Sequence, residues 1–263
     1  MRHFPVGAAA IAAVAALVMM QPVARAQTPQ VQGYNGPRTS EGKPDLNGIW
    51  QVISTAHWDL EPHSAEEGVP AGLGVVEGGE IPYQPWALAK KKENYENRAT
   101  ADPLRRCFQP GVPRATYLPF PFEITQTPKH VAIAYEFAHA SRTIFLDSTP
   151  RLAEDLEFWM GDARGRWEGD TLVVDTRSFN DQTWFDRAGN FHSAALRVTE
   201  RYTPLSANHI SYEVTIEDAK VFTRPWKMNM LIYRRLEKNL QLLDYVCVEH
   251  LYLKLLAEGA GKK

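Results

Sequence analysis

Hydrophobic and polar positions alternate through most of the chain beyond residue 130. Val131, Ile133, Tyr135 and Phe137 fall on one face of an extended segment, and a second run, 142–147, follows after a short break. Alternation with period two predicts half-buried strands, because successive side chains on a strand point to opposite faces. The runs 164–168 and 171–176 repeat the pattern around Gly169-Asp170, a connection short enough to predict a hairpin. Further alternating runs cover 194–203 and 209–216, joined through Ser206-Ala207-Asn208, then 221–233 and 240–246. Upstream, Gly48-Ile49-Trp50-Gln51-Val52-Ile53 reads as a first strand.

Other stretches break the alternation. Residues 61–84 carry Pro62, Gly68, Pro70, Gly72, Gly74, Gly78, Gly79 and Pro82 and predict a long excursion. Excursions of this length inside a compact domain are usually functional or mobile. Pro85 suits a first helical turn and opens a mid-chain helix running to about Arg98, with Lys90-Lys91-Lys92 as a solvated face. Six prolines between 102 and 128 exclude a central strand or regular helix there, and predict a rigid loop packed across a barrel mouth. Val248, Leu251, Leu255 and Leu256 recur at helical spacing, predicting a short C-terminal helix.

Nine or ten strands joined by short connections pair antiparallel and must close or stack to hide their edges. The expected fold is all-β with minor α, a lipocalin-like antiparallel β-barrel. A two-sheet β-sandwich is the alternative. The organisation predicted is a signal peptide at 1–26, an extended lead-in at 27–46, a single β-barrel domain at 47–257 and a tail at 258–263.

Composition refines this picture. The chain has 263 residues, 44% hydrophobic and 23% charged, with a formal net charge of -2. That near-neutral balance argues against a nucleic-acid partner, which would need a basic face. Arg2 and His3 precede an apolar, Ala-rich run that ends before Ala24-Arg25-Ala26. This is the pattern of a secretory signal peptide cleaved after Ala26, and it predicts a periplasmic or secreted protein with no membrane span in the mature chain. In an oxidising compartment Cys107 and Cys247 form either one disulfide or two separate buried thiols.

Several motifs resemble known proteins. Gly48-x-Trp50 on the first strand resembles the opening of lipocalin-type (calycin) barrels. A second resemblance covers most of the chain beyond the signal segment. It rests on the 42–50 stretch GKPDLNGIW, Gly111-Val112-Pro113-Arg114, the 165–175 stretch GRWEGDTLVVD, the 179–184 stretch FNDQTW and Thr223-Arg224-Pro225-Trp226. These resemble an exported bacterial protein family of unassigned activity. The resemblance implies export and a β-rich fold, and it implies no mechanism.

Candidate chemistry comes from charges on apolar strand faces. Glu200 shares a face with Leu196, Val198 and Tyr202, and Arg224 shares one with Phe222, Trp226, Met228 and Met230. Buried charges require partners. Glu200 and Arg224 therefore either neutralise each other or face a pocket, with Glu200 as acid/base and Arg224 orienting an anionic or carbonyl group. A second group, Asn180-Asp181-x-x-Trp184-x-Asp186 followed by His192-Ser193, is either a turn network or an Asp186–His192 proton relay. A third, Glu136-x-x-His139-x-x-Arg142, offers His139 and Arg142 at a barrel rim.

The catalytic candidates are thus His192, Asp186 and Glu200. The ligand-binding candidates are Arg224, Trp184, Asp181, His139, Arg142, Tyr202 and Trp226. No metal or cofactor is expected, since H-x-H, H-E-x-x-H, G-x-G-x-x-G and Walker patterns are all missing. The leading expectation is an exported barrel that binds a small, partly apolar molecule in its cavity. The alternatives are an enzyme using general acid/base chemistry of isomerase, dehydratase or lyase type, and an envelope scaffold contacting partners through 61–84.

Overall fold

The structure, a computed structural model, describes Met1, residues 33–153 and 155–245, and Cys247. The signal segment and the helix expected from Val248 onward lie outside the described residues. Nine strands close a barrel in sequential order: β1 (Gly48–Val52), β2 (Phe122–Gln126), β3 (His130–Tyr135), β4 (Ser141–Phe145), β5 (Asp162–Glu168), β6 (Thr171–Arg177), β7 (Arg197–Ser206), β8 (His209–Glu217) and β9 (Trp226–Arg234). β1 pairs with both β2 and β9, so the sheet has no free edge. The architecture is an all-β closed barrel with minor helix, as the alternation predicts.

The long strands follow period two closely. β8 and β9 turn Ile210, Tyr212, Val214, Ile216, Trp226, Met228, Met230 and Ile232 inward. Their alternate positions reach the surface or its margin. The 168–171 hairpin turns at Gly169, whose φ of 60° suits a residue without Cβ.

One pairing is parallel, β4 with β5, because residues 146–161 carry the chain back along the barrel before β5 starts. Gly165 on β5 permits that approach: a Cβ there would lie 2.7 Å from Ile144 Cγ2.

Two sequence expectations fail in this region. β2 lies inside the proline-rich stretch that was expected to hold no strand, because Pro119, Pro121 and Pro128 flank Phe122–Gln126 without interrupting it. The described part of the run expected at 240–246, residues 240–245, forms no strand. With β1 between β9 and β2 no edge remains to receive it, and Tyr245 forms an isolated bridge to Phe137 and packs against its ring.

Connections divide unequally between the barrel ends. The end where β1 finishes and β2 begins carries the long segments: 53–84, α1 (Pro85–Glu96), α2 (Arg98–Ala101), a 3-10 turn (Pro103–Arg106), α3 (Arg114–Tyr117), 178–196 and 218–225. The excursion 61–84 packs against the body. β1 is too short to match all of β9, and the excursion pairs with the uncovered part: Glu77 N donates to Lys227 O at 2.9 Å, and Asn229 N to Val75 O at 3.0 Å. Its Val76 and Ile81 are buried. A disulfide joins Cys107 to Cys247 (Cα–Cα 5.4 Å), choosing between the two states that the cysteines allowed. Among the described residues no helix is long and apolar enough to cross a membrane.

Candidate functional site

The barrel interior is filled. Val174, Val198, Glu200, Tyr212, Val214, Ile216, Met228 and Ile232 each expose 0% of their surface, so no water-sized void touches them. Across this core Arg142 on β4 reaches Glu200 on β7 in a two-point fork, Nη1 to Oε2 at 2.7 Å and Nη2 to Oε1 at 2.8 Å. Tyr202 and Tyr212 both donate to Glu200 Oε1, at 2.9 and 2.7 Å. Burial opposes the charge on Arg142, yet Glu200 outweighs it and holds the guanidinium well above its ordinary pKa. Glu200, Arg142 and Tyr202 thus form one structural network inside the barrel.

Arg224 does not take part. It precedes the start of β9, is exposed, and its guanidinium only bends back toward Pro225 O at 3.4 Å. Trp226 enters the core instead, edge-on to Phe185 and Phe222 with centroids 5.8 and 5.5 Å away.

Asp186 and His192 are both buried in the segment that plugs the decorated end, but each has its own partners. Asp186 Oδ1 accepts from Ala188 N and Asn190 N, and Oδ2 from Leu60 N and Asn190 Nδ2. Burial and the nearby Asp59 push this carboxyl up to about 7, while the N–H donors and Arg114 pull it down. His192 Nδ1 lies 2.9 Å from Ser193 O. A carbonyl oxygen only accepts, so Nδ1 carries the proton and Nε2 accepts from Thr183 Oγ1 at 2.7 Å. Burial lowers the imidazole's pKa, against the bond to Ser193 O, which raises it. The expected Asp186–His192 relay is therefore replaced by two separate backbone ties, the turn-network alternative.

The remaining candidates are dispersed. Asp181 is exposed, and Trp184 is buried beside an isolated bridge to Phe191. His139 is exposed and pairs with Asp244 at 2.9 Å. Among the described residues no group of three or more His, Cys, Asp or Glu side chains converges to hold a metal ion.

A cleft of about 280 Å³ opens instead over the plug, lined by His57, Trp58, Asp102, Arg105, Arg114, Phe120, Phe137, Arg187 and Cys247, among others. Its parts come from separate connections: 57–58 after β1, 102–120 before β2, Phe137 after β3, and Arg187 from the plug. Arg114 is fully buried and forks onto Asp102, with both bonds at 2.9 Å. Arg187 lies over Trp58, its guanidinium carbon 4.1 Å from the ring centroid, and its backbone N–H donates to His57 O at 3.0 Å. Burial lowers the Arg187 pKa, and Arg105 lowers it further. His57 packs against Trp58 with the rings tilted by 45° and centroids 4.6 Å apart, and its buried Nδ1 has no hydrogen-bond partner among the described residues. Burial, helped by Arg114 and Arg187, takes this imidazole down to about 4, so it is neutral at pH 7. Phe120, Phe137 and Tyr245 pack together on the far side with centroids 4.9–5.4 Å apart.

None of His57, Trp58, Arg105, Arg114 or Arg187 was singled out by sequence reasoning as a ligand contact. Only the density of Pro and Gly around 61–84 and 102–128 marked the connections that flank them.

No family model matches the chain, and no curated protein matches it. Among solved structures, that of a mutant of the fluorescent protein UnaG is similar, at 10% identity and a TM-score of 0.30. The match covers 73% of this chain and 97% of that one. The barrel described here rests on its own strand pairing.

Proposed function

We propose that the protein is an exported binder of a small, partly apolar molecule, and that the molecule sits in the cleft over the plugged barrel end. One observation carries the reading: the interior is closely packed, with Val198, Glu200, Tyr212 and Val214 at 0% exposure, while an aromatic-walled cleft lined by polar atoms that lack partners among the described residues lies just outside it. Small-molecule sites run from roughly 300 to 1,000 Å³ and combine apolar walls with a few directed polar groups. The cleft lies near the lower end of that range, which suits a ligand of one or two rings. The Cys107–Cys247 disulfide is in keeping with an oxidising compartment.

Titration of the purified protein with phenol, indole and benzoate, followed by intrinsic tryptophan fluorescence and thermal shift, tests the reading. A ligand held at 100 times its Kd stabilises by about 2.7 kcal/mol, a rise in Tm of several degrees for a domain of this size. The expected result is such a rise with at least one ring compound, abolished by Trp58→Ala. A rise that Trp58→Ala leaves intact, or no rise with any of them, overturns the assignment.

A further inference from the structure

Among the described residues, the cleft holds more positive charge than its lining neutralises. Arg105, Arg114 and Arg187 line it, with Asp102 as the facing carboxylate, and Asp102 is already spent on the two-point fork to Arg114. Among the described residues Arg187 makes no ion pair: its guanidinium has the Trp58 ring as its contact, which leaves its N–H edge available. Arg105 likewise forms no side-chain ion pair among the described residues, although it repels Arg187. Guanidinium groups crowded at a half-buried site with too few acceptors are costly until an anion reaches them. The chain as a whole carries no such excess, since its formal net charge is -2. Arg is also suited to planar two-point recognition of a carboxylate.

Resting on the cleft reading above, we propose that the ligand is a small aromatic carboxylate, its anionic group held by Arg187 and Arg105 and its ring set among Trp58, Phe120 and Phe137. The neutral His57 beside Trp58 adds a ring nitrogen, Nδ1, that has no hydrogen-bond partner among the described residues. An anion there offsets the mutual repulsion of the guanidiniums, and a neutral ring of the same shape does not. The charge therefore sets the preference, and the aromatic walls set the size.

Calorimetric titration with benzoate, benzamide and inorganic phosphate tests this, because the first two share a ring and nearly a shape and differ in charge. Benzoate is expected to bind at least ten-fold more tightly than benzamide at low salt, with the margin shrinking as salt is added. Arg187→Gln should bring the two within about two-fold of each other. Arg105→Gln, which removes no side-chain ion pair among the described residues, should narrow the margin without disturbing the fold.

If benzamide binds the wild type as well as benzoate does, the carboxylate assignment falls while the small-molecule reading stands. If phosphate alone matches benzoate, the cleft is a plain anion site and the assignment falls. A preference retained in both Arg variants also overturns it. If neither ring compound binds, the carboxylate assignment falls, and the small-molecule reading is decided separately by the phenol and indole titrations.

Discussion

Arg142 and Glu200 meet across the barrel core, one from β4 and the other from β7, strands that are not neighbours in the sheet. Their fork braces two opposite walls, and the hydroxyls of Tyr202 and Tyr212 complete the coordination of the carboxylate. Breaking one side of a buried pair leaves an uncompensated charge and typically costs about 3–5 kcal/mol. Arg142→Met or Glu200→Leu alone should each destabilise by that order in urea unfolding. The double variant should lose clearly less than the two single losses together, since it removes both charges. A strictly additive double-mutant cycle would show that the two side chains do not act as a pair.

Asp186 ties three pieces of backbone at once. Substituting it with Ala strands the N–H groups of Leu60, Ala188 and Asn190, together with the Asn190 amide, in a region closed to water. At about 1–3 kcal/mol for each buried donor left unmade, the loss should reach at least about 3 kcal/mol. Hydrogen exchange offers the sharper readout, because amide protection at Leu60 should collapse together with that at Ala188. Leu60 staying protected in the variant would contradict the tie.

His57 should make stability depend on pH below neutrality. The fold keeps the imidazole neutral down to about 4, whereas the unfolded chain protonates it near 6.5. Between those values the unfolded state binds the extra proton, so stability falls as pH drops through that window, by about 2–3 kcal/mol in all. The Tm of His57→Phe should fall less than that of the wild type between pH 7 and pH 4. Parallel curves for the two proteins would rule His57 out as the source.

Much of the fold was legible in the sequence, because one buried face per strand writes itself as alternation. The 168–171 hairpin and the β7–β8 and β8–β9 pairs follow from period two and turn residues alone. β2 escaped notice because proline was weighed over a window, whereas the bonding cost of proline is local. Phe122–Gln126 contains none.

The Arg142–Glu200 fork left half a trace. Arg142 shares its face with Ile144 on β4, the same anomaly that marks Glu200, but nothing local says which distant charge each will meet. The cleft left almost none. Trp58, Arg105, Phe120 and Arg187 belong to connections whose juxtaposition depends on closure of the whole barrel, and no periodicity along the chain records that.

The disulfide has a topological consequence. Cys107 precedes β2 and Cys247 follows β9, so the bond makes a covalent hoop of eight strands and leaves β1 as a loose stave, held in its gap by backbone pairing and packing. His57 and Trp58 follow that stave directly. Prising β1 out would open the wall of the barrel and carry off one side of the cleft in the same motion, so seating the stave and completing the cleft are a single event.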